Sequence, residues 1–277
     1  MHASTFCAPK RDSFFATRKR AKLGQNFLVD ENVLAYEAEC ADARSNSVLE
    51  IGAGDGRLTA RLLSCGAGHI TAVELDPGLA KQLRRRFAAY KRVKVHEGDF
   101  LEYDEGARFG RIVGNIPYYI TSPILIKLAR MNFDKAVLCM QKEVAARMMA
   151  EPGSAEYGRL SVFSQLTYRT ETLALVERSA FSPKPKVDSC IVSIVKTGFL
   201  MTGCEEHAVG AVFSHKKKSL RNAVVDARQA LFGSGDKAAA AKIAQTLKYS
   251  GRKVFSLSPS EALEAARQLC AARPDGK

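Results

Sequence analysis

Short β-rich runs alternate with helical stretches from about residue 47 onward, and this alternation restricts the fold more than any other feature of the chain. The predicted strands cover residues 47–51, 69–74, 93–96, 111–114 and 136–140, and the predicted helices cover residues 58–64, 79–90, 122–130 and 142–149. Repeated βα units predict a mostly parallel sheet with helices on both faces. Such sheets bind ligands beyond the carboxyl ends of their strands.

The pattern changes in the second half of the chain. Two further β-rich runs, 171–176 and 189–195, predict an antiparallel hairpin that closes the sheet. Beyond residue 196 the pattern predicts helices over residues 208–213, 216–231, 237–247 and 259–270. We therefore expect an α/β, Rossmann-like sheet and a small all-α C-terminal domain, divided into a basic N-terminal arm (1–30), a sheet domain (31–198) and a helical domain (199–277).

A glycine-rich turn separates the first predicted strand from the first predicted helix. Its glycines, at positions 52, 54 and 56, allow the backbone to approach a nucleoside closely. Glu74 ends the next predicted strand, where a carboxylate accepts hydrogen bonds from both ribose hydroxyls. Gly52, Gly54 and Glu74 together predict a site for a nucleoside cofactor. A nicotinamide-binding Rossmann domain stays open as an alternative, although the turn has no glycine at the G-x-x-G position.

Asp99 and Phe100 end the third predicted strand. An acid at this place accepts a hydrogen bond from the amino group of an adenine ring, and an aromatic residue lies beside it. The glycine turn holds no basic residue for a phosphate. This combination favours S-adenosylmethionine over a nucleotide. A turn or a helix cap is the alternative role for Asp99.

The segment Asn115-Ile116-Pro117-Tyr118 follows the fourth predicted strand and suggests the reaction. The side-chain carbonyl of Asn115 and the backbone carbonyl of Ile116 accept the two hydrogens of an exocyclic amine, and the Tyr118 ring offers a surface on which a base stacks. Our hypothesis is that these contacts direct the nitrogen lone pair of adenine N6 at a sulfonium methyl group. The alternative is a plain turn that ends a strand.

Phe181 is the last residue of the predicted catalytic set, which otherwise comprises Asn115, Ile116, Pro117 and Tyr118. The segment 181–186 is rich in proline and lysine, which argues against a buried strand. We therefore expect Phe181 to form an exposed wall that covers the other face of the base or flanks the methyl group. A core aromatic is the alternative.

The net charge of +13 is distributed unevenly. Residues 1–30 carry six Lys or Arg and two Asp or Glu, residues 31–182 carry twenty and nineteen, and residues 183–277 carry sixteen and eight. A nearly neutral middle between two basic ends is typical of a catalytic body that attracts a polyphosphate, with nucleic acid as the expected partner. Solvated surface charge is the alternative.

The seven cysteines are scattered and include no C-x-x-C pair, so we expect reduced thiols, no metal site and no disulfide framework. Cys139 and Cys190 lie in apolar runs and are expected to pack in the core. No apolar run has the length of a membrane span, and the first twenty residues have no apolar core of the signal-peptide type. We expect a cytoplasmic protein without a membrane partner.

An ordered set of motifs resembles the ribosomal RNA adenine dimethyltransferase family, a group that also includes the erythromycin-resistance methyltransferases and mitochondrial transcription factor B. The resemblance covers nearly the whole chain and rests on residues 22–28, 48–56, 73–76, 98–99, 115–118, 141–148, 181–189 and 213–221. It implies a class I S-adenosylmethionine-dependent methyltransferase sheet. It also implies two successive methylations of each of two adjacent adenines, in the 3′-terminal stem-loop of small-subunit ribosomal RNA during ribosome biogenesis.

The resemblance, together with the motifs above, gives the predicted cofactor set. S-adenosylmethionine is expected to contact Gln25, Asn26, Leu28, Gly52, Gly54, Glu74, Leu75, Asp99, Phe100 and Asn115. Two features are typical of the small-subunit enzymes rather than the resistance enzymes: residues 141–148 followed by 157–161, and the basic run 213–221. In the Asn-Ile-Pro-Tyr motif, Ile116 is shared with the resistance enzymes, and Tyr119 replaces a frequent Asn.

Basic residues in two segments of the C-terminal third are predicted to contact RNA phosphates. They are Lys184, Lys186, Lys216, Lys217, Lys218 and Arg221, and the N-terminal arm adds Lys10, Arg11, Arg18, Lys19, Arg20 and Lys22. Contacts of this kind make affinity fall steeply with salt. The expected partner is the precursor of the small ribosomal subunit, bound by a monomer. Two alternatives stay open: a resistance-type enzyme that acts on large-subunit RNA, and a mainly non-catalytic assembly or transcription factor.

Overall fold

The computed structural model describes residues 26–104, 106–233 and 235–273. Within these residues nine strands form: β1 (Phe27–Leu28), β2 (Ser47–Ile51), β3 (His69–Glu74), β4 (Val93–Glu97), β5 (Arg108–Asn115), β6 (Asn132–Gln141), β7 (Tyr168–Val176), β8 (Phe181–Ser182) and β9 (Ser189–Lys196). The same residues form eleven α-helices: α1 (Glu31–Ala41), α2 (Arg57–Ser64), α3 (Pro77–Arg86), α4 (Thr121–Arg130), α5 (Lys142–Met148), α6 (Arg159–Thr167), α7 (Gly203–Phe213), α8 (Leu220–Asp226), α9 (Arg228–Phe232), α10 (Lys237–Thr246) and α11 (Pro259–Ala271).

Seven of the strands form one sheet in the order β4-β3-β2-β5-β6-β9-β7. The first five are parallel, whereas β9 runs antiparallel to both β6 and β7, which confirms the predicted closing hairpin. After β2 the chain adds β3 and β4 on one side and β5 on the other. The strand order therefore reverses at β2, and the crevice at the carboxyl ends of β2 and β5 is where sheets of this type bind ligands.

Both faces of the central strands are buried because helices cover each face. In β2 and β5, Leu49 and Ile112 belong to one apolar cluster, and their neighbours Val48 and Val113 belong to the other. All four side chains are fully buried. This alternation follows from the period of two along a strand and explains why the central strands are continuous apolar runs.

Two helices, α1 and α6, lie in segments for which the sequence pattern predicts no helix. In α1, the Asp30 carboxylate caps the first turn by accepting hydrogen bonds from the amides of Asn32 and Val33. In α6 most side chains are buried, so the helix shows no polar stripe to mark its period. The positions of both helices depend on packing against the sheet.

The helical region begins after β9, and its side chains continue the apolar cluster on one face of the sheet. The predicted helix over 216–231 is wrong in its first turn, because α8 starts only at Leu220, with Ser219 as its cap. Residues 214–217 form turns instead, and α9 follows α8 as a separate short helix.

The expectation of reduced thiols is wrong for one pair of cysteines. Cys204 and Cys270 form a disulfide between α7 and α11, with their Cα atoms 6.0 Å apart. They are 66 residues apart in sequence, so only the packing of the two helices brings them together, and sequence spacing does not reveal such a pairing. Cys139 and Cys190 are buried as expected, and burial raises the pKa of both thiols.

Candidate active site

A cavity of about 350 Å³ opens at the carboxyl ends of β2, β3 and β5. Twelve of the residues predicted to bind the cofactor or the base line this cavity: Asn26, Leu28, Gly52, Gly54, Glu74, Leu75, Asp99, Phe100, Asn115, Ile116, Pro117 and Tyr118. Gln25 lies outside the described residues. The fold thus brings together segments that are up to ninety residues apart in sequence.

The glycine turn between β2 and α2 is held in a conformation that favours glycine. Gly52, Gly54 and Gly56 all have positive φ, and that of Gly54 is +58°. A Cβ atom on Gly54 would lie 3.1 Å from the ring of Phe27. The turn therefore leaves its backbone open to the cavity beside the N-terminal segment, as a nucleoside site requires.

Glu74 connects this turn to the end of β3. Its Oε2 atom accepts a hydrogen bond from the Gly54 amide at 2.7 Å, and Oε1 accepts one from the Asp76 amide at 2.8 Å. The side chain is largely buried. An ionised carboxylate has about four acceptor positions, so these two bonds leave capacity for the hydroxyls of a ribose.

Asp99 forms a turn and also lines the cavity. Its Oδ1 atom accepts a hydrogen bond from the Leu101 amide at 2.8 Å, so the alternative role considered from the sequence is present in the structure. One bond does not use up the acceptor positions of a carboxylate. Phe100 is mostly buried, and the Lys127 ammonium lies 5.1 Å from its ring centroid.

Asn115 is oriented by the N-terminal segment. Its Nδ2 atom donates a hydrogen bond to the backbone carbonyl of Asn26 at 3.2 Å. A carbonyl oxygen only accepts, so this contact fixes which end of the amide is NH₂ and leaves Oδ1 as an acceptor. This orientation is the one that the predicted contact with adenine N6 needs.

The backbone after Asn115 leaves the sheet. The Ile116 amide donates to the Cys139 carbonyl at 2.9 Å, whereas the Ile116 carbonyl accepts no hydrogen bond from the part of the chain that the structure describes. Tyr118 is half-buried, and its hydroxyl lies 2.6 Å from Ser189 Oγ. Burial raises the pKa of the Tyr118 phenol, so this hydroxyl stays protonated at neutral pH.

Two carboxyl groups, Glu37 of α1 and Glu50 of β2, line the same cavity and are fully buried. Burial raises the pKa of each to about 8. The Thr59 hydroxyl donates a hydrogen bond to Glu50 Oε2 at 2.6 Å, whereas both Glu37 oxygens lack a partner among the described residues. Neither residue was predicted from the sequence as part of the site.

Phe181 does not form the exposed wall that the sequence predicted. Its backbone pairs with Leu28 in the two-stranded β1–β8 sheet, and only 4% of the residue is exposed. Its ring joins the apolar cluster on the α1 face of the sheet and is absent from the cavity lining. The prolines and lysines that suggested exposure come after β8 and do not affect Phe181 itself. In contrast, Tyr119 is 62% exposed and lines the cavity.

The sequence model of a family described as Ribosomal RNA adenine dimethylase matches residues 16–250. The chain belongs to this family. It is 41% identical over 219 residues to a Methanopyrus kandleri protein named "Probable ribosomal RNA small subunit methyltransferase A", covering 77% of this chain and 78% of the relative.

Solved structures agree with this assignment. A dimethyladenosine transferase from Plasmodium falciparum superposes with a TM-score of 0.72 at 28% identity, covering 86% of this chain and 95% of that chain. The 23S rRNA methyltransferase ErmE superposes with a TM-score of 0.61, also at 28% identity, covering 88% and 99%. The fold is therefore that of a Rossmann-like methyltransferase, as predicted.

The basic residues predicted to contact RNA fall into two groups, those with a partner in the protein and those without an ion pair. Lys216 and Lys218 form the first group. Lys216 donates hydrogen bonds to the carbonyls of Ala155 and Tyr157, both at 2.7 Å, and Lys218 pairs with Asp226 at 2.6 Å. The second group comprises Lys184, Lys186, Lys217 and Arg221, whose side chains are exposed and make no ion pair with any described residue. Lys216 therefore joins the helical region to the loop before α6. The arm residues 10–22 lie outside the described residues.

Glu37 and Glu50, the two cavity residues that were not predicted, are not marked by any clear sequence pattern. A glutamate inside an amphipathic helix normally faces solvent, so nothing in the sequence marks Glu37 as buried. Glu50 lies within residues 48–56, on which the family resemblance rests, but it was not predicted to contact a ligand. Among the described residues, no group of three or more His, Cys, Asp or Glu is placed to hold a metal ion. In those same residues no helix has the length and apolarity to cross a membrane.

Proposed function

We propose that this chain transfers methyl groups from S-adenosylmethionine to N6 of two adjacent adenines in the 3′-terminal stem-loop of small-subunit ribosomal RNA. The product is N6,N6-dimethyladenosine. The chain acts as a cytoplasmic monomer on the precursor of the small subunit. The observation that carries this proposal is the pair of acceptors, Asn115 Oδ1 and the Ile116 carbonyl, at a cavity that Glu74 and Asp99 also line.

The residues of the cavity fit this cofactor. The glycine turn admits a nucleoside close to its backbone, Glu74 keeps acceptor positions for ribose hydroxyls, and Asp99 keeps positions for an adenine amino group. S-adenosylmethionine supplies a methyl group on a positively charged sulfur, which is electrophilic without further activation. The chain therefore needs to align the acceptor, and it needs no strong base.

The chain's part in the reaction is to shape the acceptor nitrogen. The lone pair of adenine N6 is delocalised into the ring, so a planar amine is a poor nucleophile. Asn115 Oδ1 and the Ile116 carbonyl accept its two hydrogens and favour a pyramidal nitrogen, whose lone pair then faces the cavity. The proton leaves to solvent after transfer, and the rate gain comes from alignment and fixed dipoles.

Tyr118 supports the extruded base. Taking a base out of its stack costs a few kcal/mol, which contact with an aromatic ring offsets. The hydrogen bond between the Tyr118 hydroxyl and Ser189 fixes the ring at the edge of the cavity, so the ring is ordered before the base arrives. Tyr119, the exposed neighbour, offers a second ring at the same place.

Two observations support the small subunit as substrate. The relative at 41% identity, which covers 77% of this chain, is named for the small subunit. In addition, the two sequence features typical of small-subunit enzymes touch each other, because Lys216 of the basic run donates to the Tyr157 carbonyl. A contact between these features is expected if they form one RNA-facing unit.

The test is methylation of unmodified small and large ribosomal subunits with labelled cofactor, followed by nucleoside analysis. We expect label in dimethyladenosine from small subunits and only background label from large subunits. Preferential labelling of large subunits would contradict the proposed substrate, and no labelling of either would contradict the proposed activity.

A further inference from the structure

The cavity has an acidic end that the proposed contacts with adenosine and the target base leave unused. Glu37 and Glu50 line it, and they are 0% and 1% exposed. Both oxygens of Glu37 are buried without a hydrogen-bond partner among the described residues. A buried acceptor of this kind costs free energy unless a ligand satisfies it.

Glu37 lies on the Asn115 side of the cavity, because its helix α1 packs against β6 and β5. Burial raises the pKa of Cys139 and the nearby Glu37 raises it further, and Cys139 of β6 is the register partner of Asn115 of β5. Asp99 follows β4, at the edge of the sheet, three strands away from β5. A ligand whose adenine lies at Asp99 and whose ribose lies at Glu74 therefore extends its remaining part toward Asn115 and Glu37.

The cations of the elements that pack on α1 are engaged elsewhere. On α2, Arg57 lines the cavity, but it pairs with Asp55 at 2.8 Å and with Glu31 at 3.6 Å, and Arg61 pairs with Glu31. On β5 and β6, Arg111 and Lys135 donate to the carbonyls of Ala41 and Cys40, at the other end of α1. None of these four cations therefore pairs with Glu37 or Glu50.

Burial and neighbouring acidic groups both act on Glu37 and Glu50. Burial is the largest cause of the raised pKa of Glu37, and the nearby Glu50 raises it further. The pKa of Glu50 is raised mainly by burial, and Glu74 and Asp55 also contribute. The surroundings thus keep these carboxyls protonated at neutral pH until a cation approaches.

We propose that Glu37, with Glu50 beside it, binds the protonated α-amine of the methionine part of the cofactor. This proposal rests on the proposed use of S-adenosylmethionine. An ammonium group supplies three donors and a positive charge, which suits two unpartnered carboxyl oxygens in a buried place. When the amine binds, one carboxyl loses its proton to solvent, and the resulting carboxylate pairs with the ammonium.

The test is calorimetric binding of two nucleosides to the full-length protein. S-adenosylhomocysteine carries the amine, and 5′-methylthioadenosine lacks the amino-acid part. We expect Glu37→Gln to weaken S-adenosylhomocysteine about tenfold or more, the loss typical of a charged hydrogen bond. The same variant should leave 5′-methylthioadenosine within about twofold of the wild type, because that ligand has no charged group to lose.

Glu39→Gln is the matched control, because Glu39 lies on the same helix and is exposed. It should change neither affinity. A second measurement on the wild type, in buffers of different ionisation enthalpy at pH 7, should show proton release with S-adenosylhomocysteine and none with 5′-methylthioadenosine. This measurement is independent of how well the variant folds.

The outcomes separate the proposals. If Glu37→Gln weakens both nucleosides equally, or weakens neither, or if both nucleosides release the same number of protons, the role assigned to Glu37 is overturned. If the wild type binds neither nucleoside, the proposed function fails, and the role of Glu37 fails with it.

Discussion

The carboxyl groups at the two ends of the cavity differ in whether they have hydrogen-bond partners in the protein. At one end, Glu74 and Asp99 accept hydrogen bonds from backbone amides, so the same groups that face the ligand also hold the loops in place. At the other end, Glu37 has no such partner among the described residues. A partnered carboxylate stabilises the empty site, whereas an unpartnered one destabilises the fold until a ligand arrives. Substitutions at the two ends should therefore have opposite effects on stability.

The largest effect is expected at Glu74. Glu74→Ala removes the ribose contact and leaves the Gly54 and Asp76 amides without their acceptor. We expect affinity for S-adenosylhomocysteine to fall about 100-fold, with a loss of about 1–3 kcal/mol in the free energy of unfolding. Calorimetry and urea unfolding measure the two quantities.

Glu97→Ala is the control for this substitution. Glu97 also ends a strand, but it pairs with Arg84 outside the cavity. It should leave affinity unchanged. Equal losses of affinity in Glu74→Ala and Glu97→Ala would show that Glu74 does not contact the cofactor.

A smaller effect is expected at Asp99. Asp99→Asn keeps an oxygen that accepts the Leu101 amide but removes the negative charge. Affinity for S-adenosylhomocysteine should fall about tenfold, while the free energy of unfolding stays within about 0.5 kcal/mol of the wild type. Asp99→Ala should lower both the affinity for S-adenosylhomocysteine and the free energy of unfolding. If the Asn variant binds normally, Asp99 serves the turn alone.

A substitution at Glu37 is expected to change the free energy of unfolding in the opposite direction. Glu37→Leu replaces an unpartnered buried acid by an apolar group of similar size, so the free energy of unfolding should rise by about 1–3 kcal/mol at pH 7. Urea unfolding measures this change. A destabilised Leu variant would contradict the contrast between the two ends.

The pH dependence of Glu37 has the same origin. Its pKa is about 8 in the folded protein, against an ordinary value of 4.5. Between these values the unfolded chain loses a proton that the folded protein keeps, so the free energy of unfolding contributed by Glu37 falls as pH rises. Urea unfolding at pH 5 and pH 8 should therefore show a smaller decrease for Glu37→Gln than for the wild type. Equal decreases would mean that Glu37 is ionised in the folded state.

The smallest effect is expected on the basic surface, where partnered and unpartnered groups again differ. The double variant Lys217→Ala, Arg221→Ala removes two exposed cations that make no ion pair with described residues. The slope of log affinity for RNA against log salt should become shallower by about two. Lys218→Ala, which breaks a pair with Asp226, is the control and should change the slope less. An unchanged slope in the double variant would exclude both residues from phosphate contact.

Local sequence patterns and the family resemblance together predicted the seven strands of the main sheet, the glycine turn and twelve of the residues that line the cavity. They succeeded because βα repeats determine which strand ends meet, and because Gly52, Glu74, Asp99 and Asn115 each follow or end such a strand. Each of these residues is placed by its own strand, so periodicity and turn chemistry were sufficient.

Features that depend on contacts between distant segments were missed or wrong. Phe181 is buried because β8 pairs with β1, and Cys204 meets Cys270 because α7 packs on α11. Lys216 lies in a turn instead of a helix, and its ammonium donates hydrogen bonds to the loop before α6. Glu37 looks like a surface residue until its helix is packed against the sheet. In each case the partner cannot be read from neighbouring sequence.

Alignment of adenine N6 by Asn115 is the central claim, and single-turnover methyl transfer to small subunits at saturating cofactor tests it most directly. Asn115→Ala removes the side-chain acceptor, and the rate should fall about 10²–10³-fold, as for other fixed groups that stabilise a transition state. Asn132→Ala, exposed at the opposite end of the sheet, should transfer at the wild-type rate. An Asn115→Ala enzyme whose rate stays within about threefold of the wild type would contradict the account, because a lost aligning contact is worth far more.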